Sequence, residues 1–239
     1  MLYAGADVSK RNWFTVALTG GNNWEVNLFE SIERLWYKYN KATLILIDIP
    51  IGLREGGSKW RLCDIEARGH LKHMRNSVFR APCRAAIHAE THEEASKINK
   101  RITGKGLSIQ TWGIIPKIKE VDQFLTQNID ARDIIHEIHP EVCFWALNNR
   151  KPMIFNKKDK RGIQERKEVL LSVYPPSRDI FEYAERRYLR KEVARDDILD
   201  AIVAAVTASK QGQRLLTIPA NPELDPKGLP MEMIYCSSP

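Results

Sequence analysis

The first thirty residues alternate between apolar runs and turn signals, in a pattern that predicts strands. Apolar residues dominate from Leu2 to Val8, from Trp13 to Thr19 and from Trp24 to Phe29, and the letters TGGNN mark a turn before the last run. Short runs separated by such turns are typical of antiparallel strands that pair in sequence order. We therefore predict a three-stranded antiparallel meander at the start of the chain.

A helix and a fourth strand are predicted to follow the meander. Ser31 is in the position of an N-cap for a helix that ends near Tyr39. The run from Thr43 to Asp48 is apolar until its last residue, as expected of a strand buried on both faces. Because a helix separates this strand from the meander, it should lie parallel to one of the meander strands.

The rest of the chain is predicted to be largely helical. Residues 54–130 contain no comparable strand run, and within them residues 81–102 have the clearest helical pattern. A fifth strand is predicted from Ile134 to Ile138, and Pro140 would stop it. Further helices are predicted at 163–174, 177–192 and 195–210, and the proline-rich residues 219–239 are expected to lack regular structure.

Length and composition fit one α/β domain. The chain has 239 residues, of which 43% are hydrophobic and 28% charged, ordinary values for a globular protein. We expect a domain over residues 1–212, in which a mixed five-stranded sheet is flanked by helices. A helical insertion of about residues 54–130 would follow strand four, and residues 213–239 would form an irregular C-terminal extension.

Basic residues are concentrated in two segments of the chain, whose net charge is +7. Residues 150–167 hold eight basic and two acidic residues, and residues 54–84 hold eight and three. Such clusters suit a polyanionic partner, although a solvated surface has the same composition. The candidate contacts to nucleic-acid phosphates are Arg61, Arg68, Lys158, Lys160 and Arg166. The helical spacing of Arg61 and Arg68 around Asp64 also predicts an internal salt bridge.

The sequence favours a cytoplasmic protein with no membrane association. No apolar run approaches the ~18–20 residues that a membrane span needs, and the first residues lack the pattern of a signal peptide. The four cysteines show no close pairing, which indicates reduced thiols. Nothing in the pattern indicates an oligomeric state.

Aspartates lie where the predicted parallel strands end. Asp7 is near the end of strand one and Asp48 ends strand four, so both would emerge at the same edge of the sheet. Asp197 and Asp200 share a face at the start of the last predicted helix. Singly, each could cap a turn or a helix. Together they would repel one another unless cations neutralised them, and such oxygen ligands suit Mg²⁺ or Mn²⁺.

Two such ions would support the attack of water on a phosphodiester. Asp7, Asp48 and Asp200 are expected to hold the metal, with Asp197 and Glu137 in support. Glu137, on the fifth predicted strand, could instead pair with an arginine. His139, two residues later, could orient a water or have a purely structural hydrogen-bonded role.

Five segments together resemble a known family. They are DIPIGL, RLCDIEAR, SVFRAP, EIHPEVCFWAL and DDILDAIVAAVTA, within roughly residues 3–210. The set resembles domain-of-unknown-function family 429, whose members are described as predicted ribonuclease H-like nucleases. GADVSK and DDILDA also look like the first and last motifs of the resolvase and transposase branch of that superfamily. Val8 departs from the pattern, because a small residue commonly follows the first aspartate.

The resemblance implies a ribonuclease H-like fold and a metal-dependent nuclease, with Asp7, Asp48, Asp197 and Asp200 at its presumed acidic site. The leading hypothesis is hydrolysis of nucleic-acid phosphodiester bonds, in DNA or RNA, at a two-metal site. One alternative is a non-catalytic nucleic-acid-binding module on the same fold. Another is an actin-like-fold ATPase or kinase, but residues 3–20 lack the glycine-rich phosphate loop that this fold needs after its first aspartate.

Overall fold

A mixed five-stranded sheet forms the centre of the molecule. The computed structural model describes residues 1–20, 22–211 and 215–236. The strands of the sheet are β1 (Leu2–Ser9), β2 (Asn12–Thr19), β3 (Asn23–Phe29), β4 (Leu44–Ile47) and β5 (Ile135–Glu137). They lie in the order β3-β2-β1-β4-β5. Strands β1 to β3 are antiparallel, whereas β4 is parallel to both β1 and β5. The predicted meander, the parallel fourth strand and the mixed α/β sheet are confirmed, and this order agrees with the expected ribonuclease H-like arrangement.

Helices cover both faces of the sheet. Those of the described residues are α1 (Ile32–Tyr39), α2 (Leu62–Leu71), α3 (His92–Thr103), α4 (Ile109–Gln127), α5 (Ile129–Arg132), α6 (Pro140–Leu147), α7 (Lys160–Val173), α8 (Ser177–Arg187) and α9 (Arg195–Ser209). Alternate residues of the strands face opposite cores. One core packs α1 and α4 against the sheet, and the other packs α6, α7, α8 and α9 against it. No helix in the described ranges is long and apolar enough to span a bilayer.

Helix α9 packs directly against β1 at Gly5. A Cβ atom added to Gly5 would lie 2.1 Å from the backbone nitrogen of Ala205 and 2.6 Å from the carbonyl oxygen of Ala201. Only a residue without a side chain fits this approach. Because side chains two residues apart share a face of a strand, Asp7 points to the same face as Gly5, toward the first turns of α9.

The insertion after β4 is helical, as predicted, but its clearest predicted helix is divided. Residues 81–102 were expected to form one helix. Arg84–His88 instead forms a 3₁₀ helix, and α3 begins separately at His92. Thr91 caps α3, because its hydroxyl oxygen accepts a hydrogen bond from the backbone of Glu94 over 3.2 Å. The predicted cap of α1 is confirmed, since the Ser31 hydroxyl accepts from the backbone of Arg34.

The expectation of an irregular C-terminus is wrong for the described residues. Strands β6 (Leu215–Leu224) and β7 (Pro230–Cys236) form an antiparallel two-stranded sheet. Prolines fit in β6 because its pairing is interrupted between Ile218 and Glu223, where no ladder hydrogen bond is needed. The inner face of this sheet packs on α2 and α6. Residues 213, 214 and 237–239 lie outside the described ranges, and the domain boundary after residue 212 stays a prediction.

Helix α6 was not predicted. Pro140 was expected only to stop the fifth strand, but it is also the first residue of α6, where a missing N–H costs nothing. All eight residues of α6 are buried, so the helix shows no amphipathic periodicity from which it could be identified.

Candidate metal centre

Asp7 and Asp48 leave the sheet side by side. In the parallel pairing of β1 with β4, Ala6 lies opposite Ile47, and the backbone N–H of Asp48 donates to the Ala6 carbonyl over 3.0 Å. Helix α9 brings Asp200 to the same point. Carboxylate oxygens of Asp7, Asp48 and Asp200 lie within 4.8 Å of one another. We call these three residues the acidic triad.

Few hydrogen-bond donors reach the carboxylates of the acidic triad. Asp200 is 1% exposed, and its Oδ1 atom has no partner in the described structure. Within the described residues, Asp7 accepts only from the backbone N–H of Val8, over 2.6 Å. No side-chain hydrogen bond of Asp48 occurs among residues 1–20, 22–211 and 215–236. Buried carboxylate oxygens without donors are costly unless a cation serves them. The residues therefore fit a hard divalent cation such as Mg²⁺ or Mn²⁺.

Lys157 places a positive charge within the acidic triad. Its ammonium group donates a hydrogen bond to Oδ2 of Asp200. Burial alone would lower the pKa of Lys157, but the carboxylates, led by that of Asp200, raise it well above its ordinary value. The backbone before Lys157 is fixed by α7, because a Cβ on Gly162 would lie 1.9 Å from the carbonyl oxygen of Asn156.

Burial and mutual repulsion raise the pKa values of the acidic triad. Burial, followed by the charge of Asp200, raises the pKa of Asp48 to about 8, and Lys157 opposes this shift. Burial, followed by the charge of Asp48, raises the pKa of Asp7 well above its usual range. Burial also raises the pKa of Asp200 against the opposing effect of Lys157. Without a metal, Asp48 therefore retains a proton near pH 7, and a divalent cation would displace it.

Asp197 lies beside the acidic triad, but other groups of the protein form hydrogen bonds with it. Its Oδ2 atom accepts hydrogen bonds from the Ser9 hydroxyl over 2.6 Å and from the Ala194 backbone over 3.3 Å. These bonds fasten the start of α9 to the end of β1. Asp197 thus positions the helix that carries Asp200, and a direct part for Asp197 in the chemistry stays a prediction.

Glu137 holds the turn that follows Asp48. Its two carboxylate oxygens accept hydrogen bonds from Arg61 over 2.7 and 2.8 Å, and one also accepts from the backbone of Ile51 over 2.6 Å. The alternative role for Glu137, as the partner of an arginine, is the one observed. We therefore remove Glu137 from the expected catalytic residues and assign it to positioning the Asp48 turn.

Arg61 and Arg166 were expected to contact phosphates, and the structure contradicts this. Arg61 is 2% exposed, and Arg166 is fully buried. Arg61 donates to Asp64 as well as to Glu137, whereas Arg166 donates to Glu141. Basic composition predicted surface cations, but each of these arginines is buried and neutralises a buried carboxylate.

The other predicted phosphate contacts are accessible. Lys158 and Lys160 are exposed, and no salt bridge of either occurs in the part of the chain that the structure describes. Arg68 is partly exposed. It donates over 2.8 Å to the carbonyls of Arg75 and Val78, and its guanidinium lies 5.1 Å from the ring centroid of Trp60.

His139 lines the same cavity as Asp7 and Asp48 of the acidic triad. Its Nε2 atom lies 3.3 Å from the carbonyl oxygen of Ser77, so this nitrogen carries the proton. The Nδ1 atom is buried without a partner among the described residues. Burial lowers the pKa of His139 to about 4, which keeps the ring neutral near pH 7. Both roles considered for His139 are compatible with this geometry.

A cavity of about 400 Å³ opens on the site. Asp7, Asp48, Lys157 and His139 line one part of it, and Phe79 and Arg80 of the SVFRAP segment line another. Sequence reasoning missed Lys157 as a member of the acidic site. The basic composition of residues 150–167 gave no signal for which lysine turns inward.

Comparison with known proteins identifies the family. The family model described as "Protein of unknown function (DUF429)" matches residues 5–224, which include most of β1 and all of β4 and α9. Searches of curated proteins and of solved structures gave no significant match. Because the match spans most of the 239 residues, the chain belongs to the protein family of unknown function DUF429.

Proposed function

We propose that this protein is a divalent-metal-dependent nuclease that hydrolyses phosphodiester bonds of nucleic acids. The observation that carries this proposal is the convergence of Asp7, Asp48 and Asp200, which come from separate elements of the fold. An unpartnered Oδ1 atom of Asp200, in a site that opens to a cavity, supports a cation there. A carboxylate cluster at the ends of parallel strands is a frequent location for an active site.

Asp7, Asp48 and Asp200 would hold the cation. Bound Mg²⁺ or Mn²⁺ supplies Lewis-acid stabilisation of the phosphoryl charge and favours ionisation of a water nucleophile. Asp197 and Glu137 keep α9 and the Asp48 turn in place, so that the three ligands stay in register. Such positioning groups matter because small displacements of ligands weaken metal sites.

His139 and Lys157 contribute polar groups to the same cavity. Because Nε2 of His139 carries the proton, Nδ1 presents a lone pair that can orient a water molecule. Lys157 neutralises Asp200 and places an ammonium group where a substrate phosphate can contact it. The exposed Lys158 and Lys160 would hold the backbone of the strand outside the site by charge alone.

A second candidate function is a nucleic-acid-binding module without catalysis. The ion pair between Lys157 and Asp200 favours it, because an internal ammonium group can neutralise part of the acidic triad without any metal. Binding of nucleic acid in the absence of cleavage, with any divalent ion, would support this second candidate.

Cleavage assays on end-labelled DNA and RNA, with Mg²⁺, Mn²⁺ or EDTA, test the proposal. Wild type should cleave only with a divalent ion. Asp7→Asn and Asp200→Asn should abolish cleavage while leaving the circular dichroism spectrum unchanged. Asp130→Asn, which changes an exposed carboxylate, should cleave like wild type. Full activity in both triad variants would overturn the proposed acidic site.

A further inference from the structure

A second cavity adjoins the cavity above the acidic triad. The second has a volume of about 440 Å³. The residues that line both cavities are Val78, Phe79, Arg80, Gln110 and Thr111. Because these five residues lie between two adjacent cavities, we refer to the two cavities together as the groove, which extends from the acidic triad to Trp60.

The far part of the groove is positively charged. Arg68, Arg80 and Lys105 line it, and no carboxylate is among its lining residues. Nη2 of Arg80 donates to the Ser58 carbonyl over 3.1 Å and to the Thr103 carbonyl at 3.5 Å. The Nε and Nη1 groups of Arg80 have no hydrogen-bond partner within the described ranges. Helix α4 also begins here, with no acidic residue in its first turn, so its N-terminal end adds partial positive charge.

The wall shared by the two cavities carries an aromatic ring. Phe79 is 44% exposed, although it lies within a groove. It makes no ring-to-ring contact with any residue of the described ranges. A phenylalanine face open to a basic groove offers a stacking surface for a planar ligand. The combination of an aromatic face with adjacent cations matches the bases and phosphates of nucleic acid.

We propose that this groove binds single-stranded nucleic acid, with one base stacked on Phe79 and backbone phosphates contacted by Arg68, Arg80 and Lys105. A duplex fits the groove less well, because its bases stack on one another and leave none for Phe79. The inference deepens the proposed function. It rests on that function for the cleavage of the bound strand at the acidic triad. Binding itself needs neither metal nor cleavage.

Fluorescence anisotropy in EDTA tests the inference without turnover. The probes are labelled single-stranded DNA and RNA of about 10 nucleotides, a length within the usual range for single-strand sites, and duplexes of the same sequence. We expect the single strands to bind at least about tenfold more tightly than the duplexes. Phe79→Ala should weaken single-strand binding by about 10- to 100-fold, the effect typical of a lost stacking platform.

Matched variants separate stacking from other effects. Phe79→Leu keeps apolar bulk without the ring and should bind nearly as weakly as Phe79→Ala, whereas Phe79→Tyr should bind like wild type. Tyr37→Ala, at an 82% exposed ring on α1, should change nothing. Arg80→Gln should reduce the slope of log affinity against log salt by about 0.7, the value for one phosphate of a single strand.

Equal affinity for single strands and duplexes, or wild-type binding by folded Phe79→Ala, would overturn this inference. Its failure is distinguishable from that of the proposed function. Metal-dependent cleavage that is lost in Asp7→Asn, together with wild-type binding by Phe79→Ala, leaves the nuclease and removes the stacking groove. Single-strand binding that depends on Phe79, without cleavage under any condition, would support the proposed groove and contradict the proposed nuclease activity.

Discussion

The ammonium group of Lys157 donates a hydrogen bond to Oδ2 of Asp200, across 43 positions of sequence. One of three clustered carboxylates is thus neutralised by the chain itself. The charge of Lys157 also acts on Asp7 and Asp48, but neither forms a salt bridge in the part of the chain that the structure describes. A divalent cation that enters the acidic triad therefore meets a competing positive charge, and the ion pair should set how tightly the metal binds.

Lys157→Met tests this competition. Without metal, the variant should lose stability on the order of 1–3 kcal/mol, less than for a fully buried pair because the Lys157 side chain is 33% exposed. Its affinity for Mn²⁺ should rise, because a repelling charge has been removed. Thermal melting and calorimetric titration measure the two effects. Lys158→Met, at the exposed neighbour, should change neither, and weaker Mn²⁺ binding by Lys157→Met would contradict the account.

The pH dependence of stability should carry the signature of Asp48. The pKa of Asp48 in the folded, metal-free protein is raised to about 8 from a usual value of 3.8. A carboxyl group with a higher pKa in the folded state contributes stability that is complete below the unfolded pKa and is lost as the pH rises through the folded pKa. The melting temperature in EDTA should therefore fall from about pH 4 to about pH 8. Asp48→Asn should show a shallower fall, and identical slopes would count against the assigned shift.

Gly5→Ala should move α9, which carries Asp200, away from β1, which carries Asp7. The added methyl group would lie 2.1 Å from the Ala205 nitrogen, so α9 must move away from β1. We expect a loss of about 1–3 kcal/mol or more in the free energy of unfolding, and weaker metal binding. Gly113→Ala is the matched control. Apart from its chain neighbours and the adjacent backbone of its own helix, no described atom lies within 4 Å of the added Cβ, and alanine in the α4 helix should be neutral or stabilise by up to about 1 kcal/mol. Unfolding in denaturant measures both, and an equal response would contradict the packing argument.

Local sequence patterns were sufficient to predict the sheet and the position of the acidic triad. The runs that form β1 to β4 are apolar, and turn or cap residues separate them. The spacing of the apolar residues and the positions of the turns therefore agree with the structure. Asp7 and Asp48 follow from this, because the ends of parallel neighbours meet at one edge. Helix α6 and strand β6 were missed since one is apolar on all sides and the other contains prolines at an interrupted pairing.

The roles of the basic residues depend on tertiary contacts that no local pattern encodes. Arg61 and Lys158 each lie in a basic segment, yet Arg61 is buried against Glu137 and Lys158 is exposed. Lys157 and Lys158 are adjacent, and only the first reaches Asp200. Which cation turns inward is decided by the position of the carboxylate that it neutralises, on a distant element of the chain.

Thermal melting with and without Mn²⁺ tests the central claim, that Asp7, Asp48 and Asp200 hold a divalent cation. An ion that binds only the folded state at about 100 times its Kd adds ~2.7 kcal/mol of stability, which raises the melting temperature of a protein this size by about 5–10 °C. Wild type and the control Asp130→Asn should show this rise. Asp7→Asn should show a much smaller rise. Without metal it should melt no lower than wild type, because asparagine keeps the shape without ionising, whereas burial and the neighbouring carboxylates disfavour the ionised form of Asp7. A wild-type shift near zero, or equal shifts in wild type and Asp7→Asn, would contradict the metal centre.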